Sequence, residues 1–183
     1  LFFEDAVIGT SIDAGTDDEA DTIHIGGSAS GVTIASGSGN DSILLASGAS
    51  GSNSLSTGVG NDTIAVTGTL AGASVLADDG DDLITITGAA NSSTMKGGSG
   101  ADTVVVTGGG TSTNIATNVG DDSITVGSVL TGGNIWAGSG NDTISVGTVS
   151  SGVVGGQTWS PRRNRERVSA RTQPDIGIRR SRK

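Results

Sequence analysis

The stretch Gly138-Ser139-Gly140-Asn141-Asp142-Thr143-Ile144-Ser145-Val146 decides how the whole chain is read, because close copies of it recur back to the N-terminus. Asp142 is preceded by Asp122 in Gly120-Asp121-Asp122-Ser123-Ile124-Thr125-Val126, and by Asp102 in Gly98-Ser99-Gly100-Ala101-Asp102-Thr103-Val104-Val105-Val106. Further back stand Asp82, Asp62, Asp41 and Asp21; each step is 20 residues except that from Asp41 to Asp62, which is 21. A constant period in the range of ~20 to 50 residues marks a stacked array.

Around each aspartate the hydrophobic pattern is that of strands. The second and fourth following residues are apolar throughout: Ile23/Ile25, Ile43/Leu45, Ile64/Val66, Ile84/Ile86, Val104/Val106, Ile124/Val126 and Ile144/Val146. Period two means one buried face. Seven residues before each aspartate from the second onward lies another apolar column, Ile34, Leu55, Val75, Met95, Ile115 and Ile135. The two columns are expected to face each other across a thin core, in an all-β parallel solenoid of about seven coils of 20 residues with two short strands each. At a strand spacing of ~4.8 Å the stack would be roughly 30 Å long. The extra residue between Asp41 and Asp62 is expected at Gly51-Ser52-Asn53, where a surface loop tolerates it.

Composition supports a stack and disfavours a thick globular core. Of 183 residues 32 are Gly, the aromatics are Phe2, Phe3, Trp136 and Trp159, and Cys is absent. Small, regularly placed side chains fill a solenoid interior. Without Cys there is neither a disulfide nor a thiolate metal site, which fits either side of a membrane. No apolar run reaches the ~20 residues of a membrane span. The chain opens at Leu1 without a basic and then apolar segment, so any N-terminal address signal is expected outside it and the chain is expected to be a fragment or a processed product.

Charge divides the chain. Residues 1–161 hold 17 acids and one base, Lys96; residues 162–183 hold nine bases and two acids. The expected organisation is a degenerate coil or cap over 1–15, with Phe2 and Phe3 covering the open end, a solenoid over 16–156, and a basic tail without packed structure over 157–183. Nucleic acid or another anionic surface could be met only through that tail.

Stacked turns would place Asp41, Asp62, Asp82, Asp102, Asp122 and Asp142 in one column with neighbours about 5 Å apart. Each adjacent pair then repels by about 1 kcal/mol in water and several-fold more where the effective dielectric is lower. Such an array calls for cations. The turn offers hard oxygen ligands, and its glycines permit backbone conformations that aim carbonyls inward. Calcium accepts six to eight loosely arranged oxygens, magnesium demands a strict octahedron, and zinc and copper lack their preferred ligands here. The bland alternative is that the aspartates only make turns.

The pattern Gly-x-Gly-x-Asp-x-Ile/Val-x resembles the calcium-binding nonapeptide repeat of RTX (repeats-in-toxin) proteins over about residues 16–146. The resemblance implies a right-handed parallel β-roll with Ca2+ between consecutive turns, in a secreted, extracellular or cell-surface protein. Carried over by position, it implies ligands at Asp41, Asp62, Asp82, Asp102, Asp122 and Asp142, with carbonyls near Gly39, Gly60, Gly80, Gly100, Gly120 and Gly140. Asp21 belongs to the same series, although Glu19 stands where its turn should have a glycine, and Asp78 and Asn118 replace the first glycine of theirs. In the family both turns of a coil commonly carry the motif, whereas the opposite turns here contain no acid, so a single calcium column is expected.

Asn40, Asn61, Asn141, Asp81 and Asp121 are expected to point to solvent, and His24 to be a surface residue and not a ligand. The functional expectation is a non-catalytic calcium-binding repeat module, structural, adhesive or secretion-linked, whose partners would be cell-surface groups, polysaccharides or further copies of itself. The alternative is the repeat part of a larger secreted polysaccharide lyase, epimerase or toxin. Catalysis within the repeats is disfavoured because Lys96 and His24, their only base and only histidine, are far apart in the stack. Ice binding through Thr22, Ser42, Thr63, Thr103, Ser123 and Thr143 is interrupted by Leu83.

Overall fold

The alternation after each aspartate becomes a four-residue strand, and these strands stack in parallel without slippage. Thr22–Ile25, Ser42–Leu45, Thr63–Val66, Leu83–Ile86 and Thr103–Val106 succeed one another with all four residues in register. The computed structural model describes residues 1–155 and 167–172, and in it they form a parallel β-solenoid of eight coils with no helix. Ile23, Ile43, Ile64, Ile84, Val104, Ile124 and Ile144 form an interior column whose members are at most 1% exposed. Ile34, Leu55, Val75, Met95, Ile115 and Ile135 form the other expected column, equally buried. Burial of each such side chain contributes roughly 1.5–3 kcal/mol against the entropy of ordering the chain.

A third side was not expected. Two-residue strands at Ala29–Ser30, Ala49–Ser50, Leu70–Ala71 and Ala90–Asn91 stack on one another, and the corresponding residues of later coils lie within longer strands. Their inward column, Ala29, Ala49, Leu70, Ala90, Leu130 and Val149, is buried. Ala is a weak apolar signal beside Ile and Val, which explains why the pattern shows two sides clearly and the third only faintly.

Residues 1–13 supply a first coil ahead of the seven others. Phe2, Val7 and Ser11 pair with His24, Ala29 and Thr33, a uniform offset of 22. The offset falls to 20 at Thr22↔Ser42. A Cβ on Gly37 would collide with the Gly15 carbonyl and one on Gly39 with that of Glu19, so the two additional residues of the first turn lie within Thr16-Asp17-Asp18. The single extra residue of the third coil is where it was expected. Ser50 pairs with Ser30 at an offset of 20 and Ser54 with Thr33 at 21, which confines it to Gly51-Ser52-Asn53.

Part of the segment read as a tail without packed structure is a strand. Arg167–Thr172 runs parallel to the last coil, with Thr143↔Arg167 and Val149↔Thr172. The basic composition concealed it, because Val168 is the only large apolar residue in those six. The remainder of that segment lies outside the described residues. Among the described residues no helix is long and apolar enough to cross a membrane.

Candidate cation site

Stacking brings the six aspartates Asp41, Asp62, Asp82, Asp102, Asp122 and Asp142 into one column, and it turns them inward. Each is 1–3% exposed, while Asp21 is only half-buried. Every carboxylate is anchored by one oxygen. The Oδ1 of Asp62 accepts the amide of Asp41 at 2.7 Å, that of Asp82 the amide of Asp62 at 2.8 Å, and that of Asp102 the amide of Asp82 at 3.1 Å. The series continues through Asp122 and Asp142, and it begins with Asp21 giving its amide to Asp41. Each carboxylate therefore reaches back to the preceding coil.

The other oxygens are unsatisfied. Oδ2 of Asp41, Asp62, Asp82, Asp102 and Asp122 is buried with no hydrogen-bond partner. A buried carboxylate normally accepts several bonds, and leaving an acceptor unpaired costs ~1–3 kcal/mol, more when it is charged. Burial accordingly raises the carboxyls of Asp62, Asp122 and Asp142, and it raises Asp82 to about 6 and Asp102 to about 7. The amide each accepts pulls its value back, and neighbouring carboxylates push Asp82 and Asp102 further up.

The residue five before each aspartate modulates this. Thr57 and Thr117 lower Asp62 and Asp122, yet their hydroxyls donate to the carbonyls of Ala77 at 3.1 Å and Ala137 at 2.9 Å. With one proton apiece, each hydroxyl can serve either acceptor but not both. Ala77, Gly97 and Ala137 offer no hydroxyl at all. This inner column escaped the sequence reading because its residues share only small size.

The glycines two before each aspartate stack in a column of their own. Gly39, Gly60, Gly80, Gly100, Gly120 and Gly140 all have φ between 120° and 151°, which an L side chain rarely adopts. A Cβ on Gly60 would collide with the Gly39 carbonyl, and the same holds up the column to Gly140 over Gly120. The carbonyls thus point along the rod from one turn to the next. Asp78 and Asn118, in place of the first glycine, adopt φ of 74° and 72°, a region Asn and Asp enter more readily than most residues.

A second ladder runs the other way on the outside. Asn40 Oδ1 accepts the amide of Asn61 at 2.8 Å, Asn61 that of Asp81 at 2.8 Å, Asp81 that of Ala101 at 2.7 Å, and Asp121 that of Asn141 at 2.7 Å. These side chains are exposed, as expected of them, but they also tie each coil to the one that follows. The Asn141 amide and side chain hold the Asp121 carboxyl below its ordinary value.

The opposite edge is built without carboxylates. Asn53 is buried, accepts the amide of Val32 at 2.9 Å and donates to the Ser50 carbonyl at 2.8 Å, and Ser93 serves Ala73 and Asn91 in the same way. His24, expected at the surface, is half-buried beneath Phe2, the two rings edge to face at 4.6 Å.

The donor set fits a hard cation and suits no soft one. No cluster of three acidic, His or Cys side chains exists among the described residues, so an ion between two turns would meet at most two carboxylates. The glycine carbonyls would have to complete its shell, an all-oxygen arrangement acceptable to calcium. No known protein family matches the chain, and no match is found among curated proteins or solved structures.

Proposed function

We propose that this solenoid is a calcium-dependent, non-catalytic repeat module that works outside the cell, as a structural, adhesive or secretion-linked part of a secreted or cell-surface protein. The observation that carries the reading is the row of five buried Oδ2 atoms without partners, in turns whose glycine carbonyls are directed along the rod. A polar array half-satisfied in this way is destabilising unless something completes it. Divalent cations complete it with charge and coordination together, and weak oxygen sites in extracellular modules are filled at ~0.1–1 mM calcium.

Asp41, Asp62, Asp82, Asp102, Asp122 and Asp142 would supply the carboxylates, with carbonyls of Gly39, Gly60, Gly80, Gly100, Gly120 and Gly140; the longer first turn makes Asp21 the outlier. Bound calcium would neutralise the column, so binding free energy becomes folding free energy. Attachment to a larger secreted enzyme or toxin is compatible with this role, and cell-surface or polysaccharide groups or further copies of the chain are the partners it would serve. Circular dichroism of the chain in chelator and in millimolar calcium tests the reading. The expected result is a gain in β signal on adding calcium that magnesium does not reproduce, and an unchanged β spectrum in excess chelator would overturn it.

A further inference from the structure

The six-residue turn Gly97-Gly98-Ser99-Gly100-Ala101-Asp102 differs from the other turns both on its inner side, beside the carboxylate, and in the outer ladder. On the inside, Gly97 occupies the position of Thr57 and Thr117, so no hydroxyl stands near Asp102. The carboxylate has filled the room instead: a Cβ on Gly97 would collide with Asp102 Oδ2. That oxygen is buried and unpartnered, and the residue is 1% exposed. On the outside, Ala101 interrupts the series Asn40, Asn61, Asp81, Asp121 and Asn141. It receives support from Asp81 but has no acceptor to offer the amide of Asp121. The turns at Asp41, Asp62, Asp82 and Asp122 keep at least one of these two devices, as Asn61 and Thr57 do for theirs, or Asp81 where residue 77 is Ala.

We propose that this turn is the joint of the rod: its order depends on a hard divalent cation held between Asp102 and Asp122 of the following coil, and withdrawal of the cation parts the stack there. The proposal rests on the calcium reading above and adds where the dependence is concentrated. At the other junctions from Asp41 to Asp142, hydroxyls or the side-chain oxygens of the outer ladder, which accept backbone amides, hold adjacent turns together without an ion. Gly97–Asp102 keeps both ladder bonds to the preceding coil, from the Asp82 amide to Asp102 and from the Ala101 amide to Asp81, but toward the following coil only the backbone ladder of the strands and the single bond from the Asp102 amide to Asp122 remain. The consequence is a cation-controlled division of the solenoid into an N-terminal stack ending near Asp102 and a C-terminal stack beginning near Asp122.

Hydrogen exchange followed by mass spectrometry on the full chain, along a calcium titration from chelator to millimolar, tests this. Peptides covering 97–103 and 117–123 are expected to exchange fastest in chelator and to gain the most protection from calcium, while the peptide over 57–63 gains least. Ala101→Asn restores the outer acceptor at an exposed position. It should raise the metal-free protection of 117–123 about fivefold, the effect of one net hydrogen bond. Thr117→Ala should extend the calcium-dependent region toward Asp122, and Thr117→Ser should not. If calcium protects every turn at one midpoint that Ala101→Asn leaves in place, or if 57–63 proves the most dependent segment, the joint is overturned although calcium binds. If calcium changes no segment at all, the calcium reading falls and the joint with it.

Discussion

Replacing Asp102 by Asn should change stability in opposite directions according to whether calcium is present. Burial raises the Asp102 carboxyl from 3.8 to about 7, roughly three units, and at about 1.36 kcal/mol per unit its ionisation costs the metal-free fold about 4 kcal/mol above pH 7. The sign follows from linkage. A carboxyl whose folded value lies above its unfolded value destabilises progressively as pH rises from about 4 to about 7, and costs nothing below both values. Asn keeps the Oδ1 acceptor for the Asp82 amide but places an unpartnered NH2 where Oδ2 was, a cost of ~1–3 kcal/mol. In chelator at pH 8 the variant should therefore be more stable by about 2 kcal/mol, and at pH 4 less stable than the parent. In millimolar calcium at pH 8 it should be the less stable of the two, having lost a charged ligand. Far-ultraviolet circular dichroism across urea and TMAO series measures the midpoints whether or not the metal-free chain is folded in buffer. The reasoning is refuted if Asn destabilises equally at pH 4 and pH 8 in chelator, or if calcium does not reverse its sign.

Acidifying the metal-free chain from pH 8 to pH 5 should increase its β content, since Asp82 and Asp102 take up protons near 6 and 7, and a decrease on the same titration would contradict their burial as free carboxylates. In calcium titrations Asp102→Ala should weaken sites on both sides of its turn and reduce cooperativity, whereas Asp21→Ala should cost far less; equal losses would argue against shared ligands. Ile124→Asn should lower the melting temperature sharply in calcium, because a fully buried amide without a partner costs several kcal/mol. Deleting 162–183 removes the strand on the edge of the last coil, so exchange should quicken over Thr143–Gly155 and stay unchanged at Thr63–Val66.

The repeated aspartate and the two apolar columns are visible in the sequence because period two and period 20 coincide at Ile23, Ile43 and their successors, and no other packing satisfies both. The acid-free opposite edge and the position of the extra residue near Asn53 are legible for the same reason, since a shift anywhere else would break a column. What the sequence conceals is direction. Asp62 and Asn61 are adjacent and chemically alike, yet one accepts from the coil before and the other serves the coil after. Composition cannot separate them, because the difference lies in which way a glycine-rich turn aims each side chain. Thr57, Gly97 and Thr117 went unread for a related reason: their importance comes from facing a carboxylate, and nothing in a run of small residues announces that. The longer first turn was concealed by the correct spacing of Asp21 from Asp41.

The two opposed ladders have a consequence for the length of the rod. From Asp41 to Asp142 each coil presents its neighbours with a carboxylate toward one end and, except at Ala101, a side-chain carbonyl or carboxylate toward the other, so a unit of 20 residues cut between the same positions of successive turns is interchangeable with any other that keeps both. Adding one such unit lengthens the molecule by a single strand spacing of ~4.8 Å and leaves both series of bonds unbroken. An insertion of any other size within the Gly-x-Gly-x-Asp turn forces one series out of step. The chain can thus be extended or shortened in whole units, as a ruler is by its divisions, and the two-residue insertion at Thr16–Asp18 sits in the turn of the first coil, before the inner ladder of carboxylates begins at Asp41.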